Sequence, residues 1–155
     1  MEKAMSKMRG NYSRIDGGHP YRGVRFLRGG PFMKYNVNDR DADTGLEEAE
    51  VWRLLQEHLQ KDDIITAGTA QDAKHDDSTR MASGMVAGHA YTILSTHTLK
   101  SDKTKIVKLR NPHHRDSFKA GKGAKYSAFD WVKAIEKEFP DAANKDDGII
   151  YVPLA

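Results

Sequence analysis

Gly88-His89-Ala90-Tyr91-Thr92-Ile93-Leu94 and Ile106-Val107-Lys108-Leu109-Arg110-Asn111-Pro112 decide the reading of this chain. Each segment alternates side chains with period two, is bounded by turn or breaker residues, and carries a polar residue at one end, which is the pattern of a half-buried strand. Paired as an antiparallel hairpin around a loop centred near Lys100, they place Ser95 opposite Lys105 and His89 opposite Asn111. Directly opposed side chains have Cβ atoms roughly 4.5–5.5 Å apart, so an imidazole and a carboxamide come within hydrogen-bond reach. A histidine acting as a general base needs one ring nitrogen aimed at a nucleophile in a fixed tautomer, and a carboxamide oxygen can fix it through the other nitrogen. A slip of one residue would send the two side chains to opposite faces.

Around this pair the chain reads as helices early and late with antiparallel strands between. Glu2 to Met8 reads as a short helix ended by Gly10, and Tyr21 to Leu27 as a helical stretch between the turns at Gly17-Gly18 and Gly29-Gly30-Pro31. The clearest helix is Gly45 to Gln60, with Val51, Leu55 and Leu59 on one face, Trp52 beside them, and Thr44-Gly45-Leu46-Glu47 fitting a capping box. Ile64 to Ala67 is a short apolar strand, and Thr69 to Gly84 a polar surface loop. Thr96 to Thr104 is the hairpin loop. Ser127 caps a second helix with Trp131 or Val132, Ile135 and Phe139 as its buried stripe, ended by Pro140, and Gly148 to Val152 is a closing strand. The fold class is α+β, an antiparallel sheet or half-barrel with flanking helices.

Bulk properties narrow the function. The chain has 155 residues, 30% of them charged, and no cysteine, so it has neither a disulfide framework nor a thiol nucleophile of its own. No apolar run approaches the roughly 18 residues of a membrane span. The net charge of +3 is too small to imply nucleic acid, and no aromatic-interleaved basic motif supplies a binding platform. Acidic residues crowd Asp39–Asp63 and basic ones Lys100–Lys125, which reads as two solvated faces. His75 and its neighbouring aspartates match no ligand spacing, His113 and His114 point apart on an extended segment, and Gly121-Lys122-Gly123 lacks what a phosphate loop needs; no metal or cofactor site is expected.

At these residues the chain resembles the calpain family of cysteine proteases, in the second, His/Asn-bearing half of the papain-like catalytic unit. Gly88-His89-Ala90-Tyr91 resembles the family's histidine motif and Leu109-Arg110-Asn111-Pro112 its asparagine motif. Glu2-Lys3-Ala4, Gly10, Tyr12 and Gly17-Gly18 resemble the stretch linking the two catalytic halves, Leu27 to Pro31 the glycine turn that opens the second, and Ser127 to Phe139 with Ile149-Ile150 the closing helix and strand. The resemblance implies one domain over 1–155, with 1–30 linker-like and 31–155 the half-domain. It begins almost at residue 2, which implies a cut from a longer chain.

Carried over, His89 is the general base, Asn111 its orienter, and Gly88 lines the substrate cleft, with Thr69 to Gly84 as the mobile gating loop beside it. The partners implied are an upstream Cys-bearing half-domain and a peptide or protein substrate, in the cytoplasm, with no nucleic acid and no transmembrane segment. Without that half the chain is expected to be inactive. The family usually continues Asn-Pro with Trp-Gly, whose tryptophan shields the histidine–asparagine bond; here His113 and His114 follow, which implies a wetter, looser bond. Ser117 and Lys119-Ala120-Gly121-Lys122 stand where calcium-regulated members carry acidic ligands, so calcium is not expected to bind in that region. The alternative is a non-catalytic calpain-like module that binds a protein or cytoskeletal partner.

Overall fold

A computed structural model describes residues 1–37, 46–70, 85–113, 128–143 and 147–154. These fall into two compact units, Met1–Lys34 and Tyr35–Ala155. The first holds helix α1 (Glu2–Arg9), a 3-10 turn at Tyr12–Arg14 and helix α2 (Pro20–Arg28). Gly10 closes α1 at φ 103°, and Pro20 opens α2 in the first helical turn, where its missing N–H has no partner to lose. The Tyr21 ring stacks between His19 and Phe32.

The second unit is built on a four-stranded antiparallel meander in the order β1-β2-β3-β4: β1 (Ile65–Gly68), β2 (Ala90–Thr98), β3 (Lys105–Arg110) and β4 (Ile149–Pro153). Helix α3 (Glu48–Gln60) precedes β1, and helix α4 (Ala128–Glu138) precedes β4. β3 is the apolar spine because period two feeds both sides of it. Val107 and Leu109 join Tyr91 and Ile150 in one buried cluster, against which Leu55 of α3 and Met85 pack. Ile106 joins Leu99, Trp131, Ile135 and Tyr151 in the other, under α4 and Phe139. The Trp131 indole N–H is satisfied by the Tyr151 carbonyl at 3.1 Å, so the ring is buried without an orphaned donor.

Three expectations need correction. The capping box is not formed, because Glu47 is itself the residue before the first helical turn, with extended backbone (φ −64°, ψ 148°) and no side-chain cap bond; Thr44 lies outside the described residues. β1 starts one residue later than expected, leaving Ile64 exposed, since Asp62 turns out of α3 with φ 55°. The hairpin register also differs. Thr92 faces Arg110 and Ile93 faces Leu109, then a bulge at Leu94 shifts the ladder so that Ser95 faces Lys108, not Lys105, and Thr98 faces Lys105. The reversal lies beyond Lys100: Leu99 is fully buried and its N–H donates to the Thr104 carbonyl, while the Asp102 carboxylate accepts from the Thr104 N–H and hydroxyl. Thr96 to Thr98 are therefore strand, not loop.

The bulge decides what the outer half of β2 faces. One extra residue reverses the alternation, so Ser95 and His97 fall on the α4 side of the sheet although Ile93 faces α3. His97 packs its ring against Phe139 and Tyr151 and meets the Ser95 hydroxyl at 2.8 Å. Burial, reinforced by the nearby Lys108 cation and opposed by Asp141, holds its imidazole below the ordinary histidine value. In the window below that ordinary value, near 6.5, the unfolded chain takes up a proton that the folded one refuses. The stability contributed by neutral His97 should thus be complete above pH ~6.5 and fade as the pH falls from there. Urea titrations at stepped pH should show this loss, and His97→Phe should flatten it. Leu109→Ala should cost about 2–5 kcal/mol at any pH, as expected for emptying a packed leucine site.

Candidate active site

Continuing the β2–β3 register one step sets Tyr91 against Asn111, so His89 lies two residues off the expected opposition. The offset is even, which keeps His89 and Asn111 on one face as diagonal neighbours. They meet: His89 Nε2 lies 3.0 Å from Asn111 Oδ1. Asn111 is only 2% exposed, whereas His89 is half-buried. The Tyr91 ring stands edge-on to the imidazole at 4.9 Å, and its hydroxyl accepts from the Val86 N–H, tying the segment before His89 to the strand.

Asn111 is held through both its main chain and its carboxamide oxygen. The Asn111 N–H donates to the Gly148 carbonyl at 2.7 Å, and Gly148 adopts φ 80°, a conformation that favours glycine and aims that carbonyl back at β3. Oδ1 also accepts the His113 N–H at 3.0 Å. Since a backbone N–H can only donate, it identifies the atom facing it as the oxygen. The same oxygen then requires a proton on His89 Nε2. A neutral ring in that tautomer leaves Nδ1 as its acceptor nitrogen.

Two further residues hold His89 from the other side. Gly88 is exposed, with φ 60°, and its N–H donates to the Ala70 carbonyl. Thr69 lies at the end of β1, and its hydroxyl donates to the Val86 carbonyl at 2.6 Å and accepts the His89 N–H at 2.9 Å. Its own N–H donates to the His89 carbonyl at 3.0 Å. The loop expected from Thr69 to Gly84 thus begins with a clamp; residues 71–84 of it lie outside the described residues. Sequence reasoning passed over Thr69, yet a threonine directly after a strand is the residue type that bonds neighbouring backbone. Among the described residues no three histidine, aspartate or glutamate side chains gather as a metal site, and no helix is long and apolar enough to cross a membrane.

A strand-end imidazole hydrogen-bonded to a buried carboxamide has one ring nitrogen fixed and the other left free. The family profile described as "Calpain family cysteine protease" matches residues 1–155, and the chain belongs to the calpain family. It is 25% identical over 152 residues to the calpain-type cysteine protease ADL1 of Oryza sativa subsp. japonica, covering 98% of this chain and 7% of that protein. It is 29% identical over 125 residues to calpain-5 of Rattus norvegicus, covering 72% of this chain and 19% of that protein. Calpain clp-4 of Caenorhabditis elegans is 26% identical over 114 residues, again 72% of this chain and 15% of the relative. The chain therefore spans a small part of these relatives, and the sheet with flanking helices is a piece of a papain-like calpain domain.

Thr69→Val keeps the shape but removes the hydroxyl, leaving the His89 N–H without its acceptor. It should cost about 1–3 kcal/mol in chemical denaturation. Amide exchange at His89 should accelerate more than exchange at Leu109.

Proposed function

We propose that this chain is the His/Asn-bearing half of a calpain-type cysteine endopeptidase. His89 is the general base, Asn111 its orienter, and Gly88 part of the wall of the peptide cleft. The observation that carries this reading is the 3.0 Å contact between His89 Nε2 and the Oδ1 of a buried asparagine. A cysteine supplied by an upstream half gives its thiol proton to His89 Nδ1, and the thiolate attacks the peptide carbonyl. His89 returns the proton to the departing amine, and the resulting acyl-enzyme is hydrolysed by water that His89 deprotonates. Asn111 keeps Nδ1 aimed at the reacting atoms throughout. Protein or peptide is the substrate, the cytoplasm the compartment, and no calcium is bound by this chain.

Because the chain has no cysteine, it is inactive by itself. The upstream half is its first partner. In support, the Met1–Lys34 unit exposes Met8, Tyr12, Leu27 and Phe32, large apolar side chains at 43–74% exposure that an adjoining half-domain would cover. A second reading keeps the fold and drops the chemistry: a calpain-like module that binds a protein or cytoskeletal partner. The His113-His114 pair, where the family usually carries Trp-Gly, and the missing acidic residues around Ser117 to Lys122 favour it.

Co-expression with a Cys-bearing upstream half from a calpain relative tests the enzyme reading. The reconstituted pair should hydrolyse a fluorogenic peptide, and this chain alone should neither hydrolyse it nor take a label from a cysteine-directed inhibitor. His89→Ala should lower kcat by about 10²–10⁴, the usual worth of a positioned base. Asn111→Ala should lower kcat with little change in KM. Reconstituted halves that bind peptide but never turn it over would favour the module.

A further inference from the structure

The residue following Asn111-Pro112 acts on the His89–Asn111 bond twice. From its main chain, His113 donates an N–H to Asn111 Oδ1 at 3.0 Å, an Asx turn closed across Pro112. Proline restricts the residue before it to extended backbone, so the Asn-Pro pair sets where that next N–H points. From its side chain, the His113 ring meets the His89 ring edge to face, with centroids 4.7 Å apart and planes at 71°. His113 is exposed while His89 is half-buried and Asn111 buried, so the contact joins a solvent-facing imidazole to a more sheltered one.

Each contact has a separate consequence. A carbonyl-type oxygen has two lone pairs, and here two N–H groups converge on it. Rotating the carboxamide by half a turn would put its NH₂ against both donors, so the backbone N–H of His113 locks the amide and, through it, the ring tautomer of His89. The edge-to-face ring covers one face or edge of the imidazole whose Nε2 makes the bond, and a hydrogen bond strengthens as its surroundings dry.

We infer that His113 is a positioning residue for His89, fixing its tautomer from the main chain and keeping water from the Nε2–H···Oδ1 bond with its ring. The inference rests on the reading of His89 as the base. It replaces the looser, wetter bond expected from the sequence with one that is covered by a different ring.

The 155-residue chain itself is sufficient for the test, because the readout is the ring proton and not turnover. In chain labelled with ¹⁵N-histidine, the nitrogen shifts of His89 report its tautomer, and exchange of its Nε2 proton with water reports the cover. Wild type should carry the proton on Nε2. His113→Ala should speed its exchange by about tenfold, the size of effect expected when a local protecting contact is lost. His113→Phe should restore exchange to within about twofold of wild type, because the ring returns without its polar atoms. Unchanged exchange of the β3 amides is the control for the fold; if His113→Ala disturbs them, His113→Gln against His113→Phe makes the same comparison. Equal exchange in wild type and His113→Ala, with Nε2 protonated in both, would overturn the inference alone. A wild-type ring protonated on Nδ1 would overturn the site reading and the inference together.

Discussion

Burying a carboxamide without partners is costly, and this fold is arranged so that Asn111 never lacks them. Its Oδ1 accepts hydrogen bonds from the His113 N–H and from His89, and its main-chain N–H donates to the Gly148 carbonyl. These bonds join the end of β3, the approach to β4, the turn after β3 and the start of β2. Removing the side chain would untie the two bonds that end on Oδ1 and leave the main-chain bond to Gly148, so the orientation of His89 depends on this one carboxamide. The cost of keeping a polar group in the interior is what makes the imidazole's geometry specific.

The bulge at Leu94 serves the other end of β2. With strict alternation, a strand nine residues long would present Tyr91, Ile93, Ser95 and His97 all toward α3. One inserted residue lets β2 cover two different helices. The inner half supplies Tyr91 and Ile93 to the α3 side, and the outer half brings His97 to Phe139 and Tyr151 on the α4 side. The network beyond it is electrostatic. Lys108 and the Tyr151 hydroxyl both bond the Asp141 carboxylate, and the Lys108 bond holds that carboxyl below its usual range.

Much of this was legible from residues alone. Period two marked β2 and β3, the repeat of Val51, Leu55 and Leu59 marked α3, and Trp131 with Ile135 marked α4, because apolar spacing reports burial directly. The contact between His89 and Asn111 was also legible, although the register used to reach it was wrong. Register depends on where the chain reverses, and Leu99, which looks like part of a polar loop, is instead drawn into the core by its side chain. The bulge had no signal: Leu94 is as good a strand residue as Ile93. Thr69 was passed over because its role is to bond backbone twenty residues away, which spacing does not encode. Glu47 looked like the last residue of a capping box, but its extended backbone makes it the residue before α3, a difference that polar residue types do not report.

The even offset between His89 and Asn111 has a mechanical side. Side chains directly across a ladder stay at nearly constant separation however the sheet coils, but diagonal ones do not. Twisting β2 against β3 brings one diagonal closer and spreads the other. The His89–Asn111 spacing is therefore sensitive to strand twist, and Val107 and Ile150 belong to the buried cluster that packs β3 and β4 together. Changes of volume deep in this sheet could be felt at its rim as changes of angle.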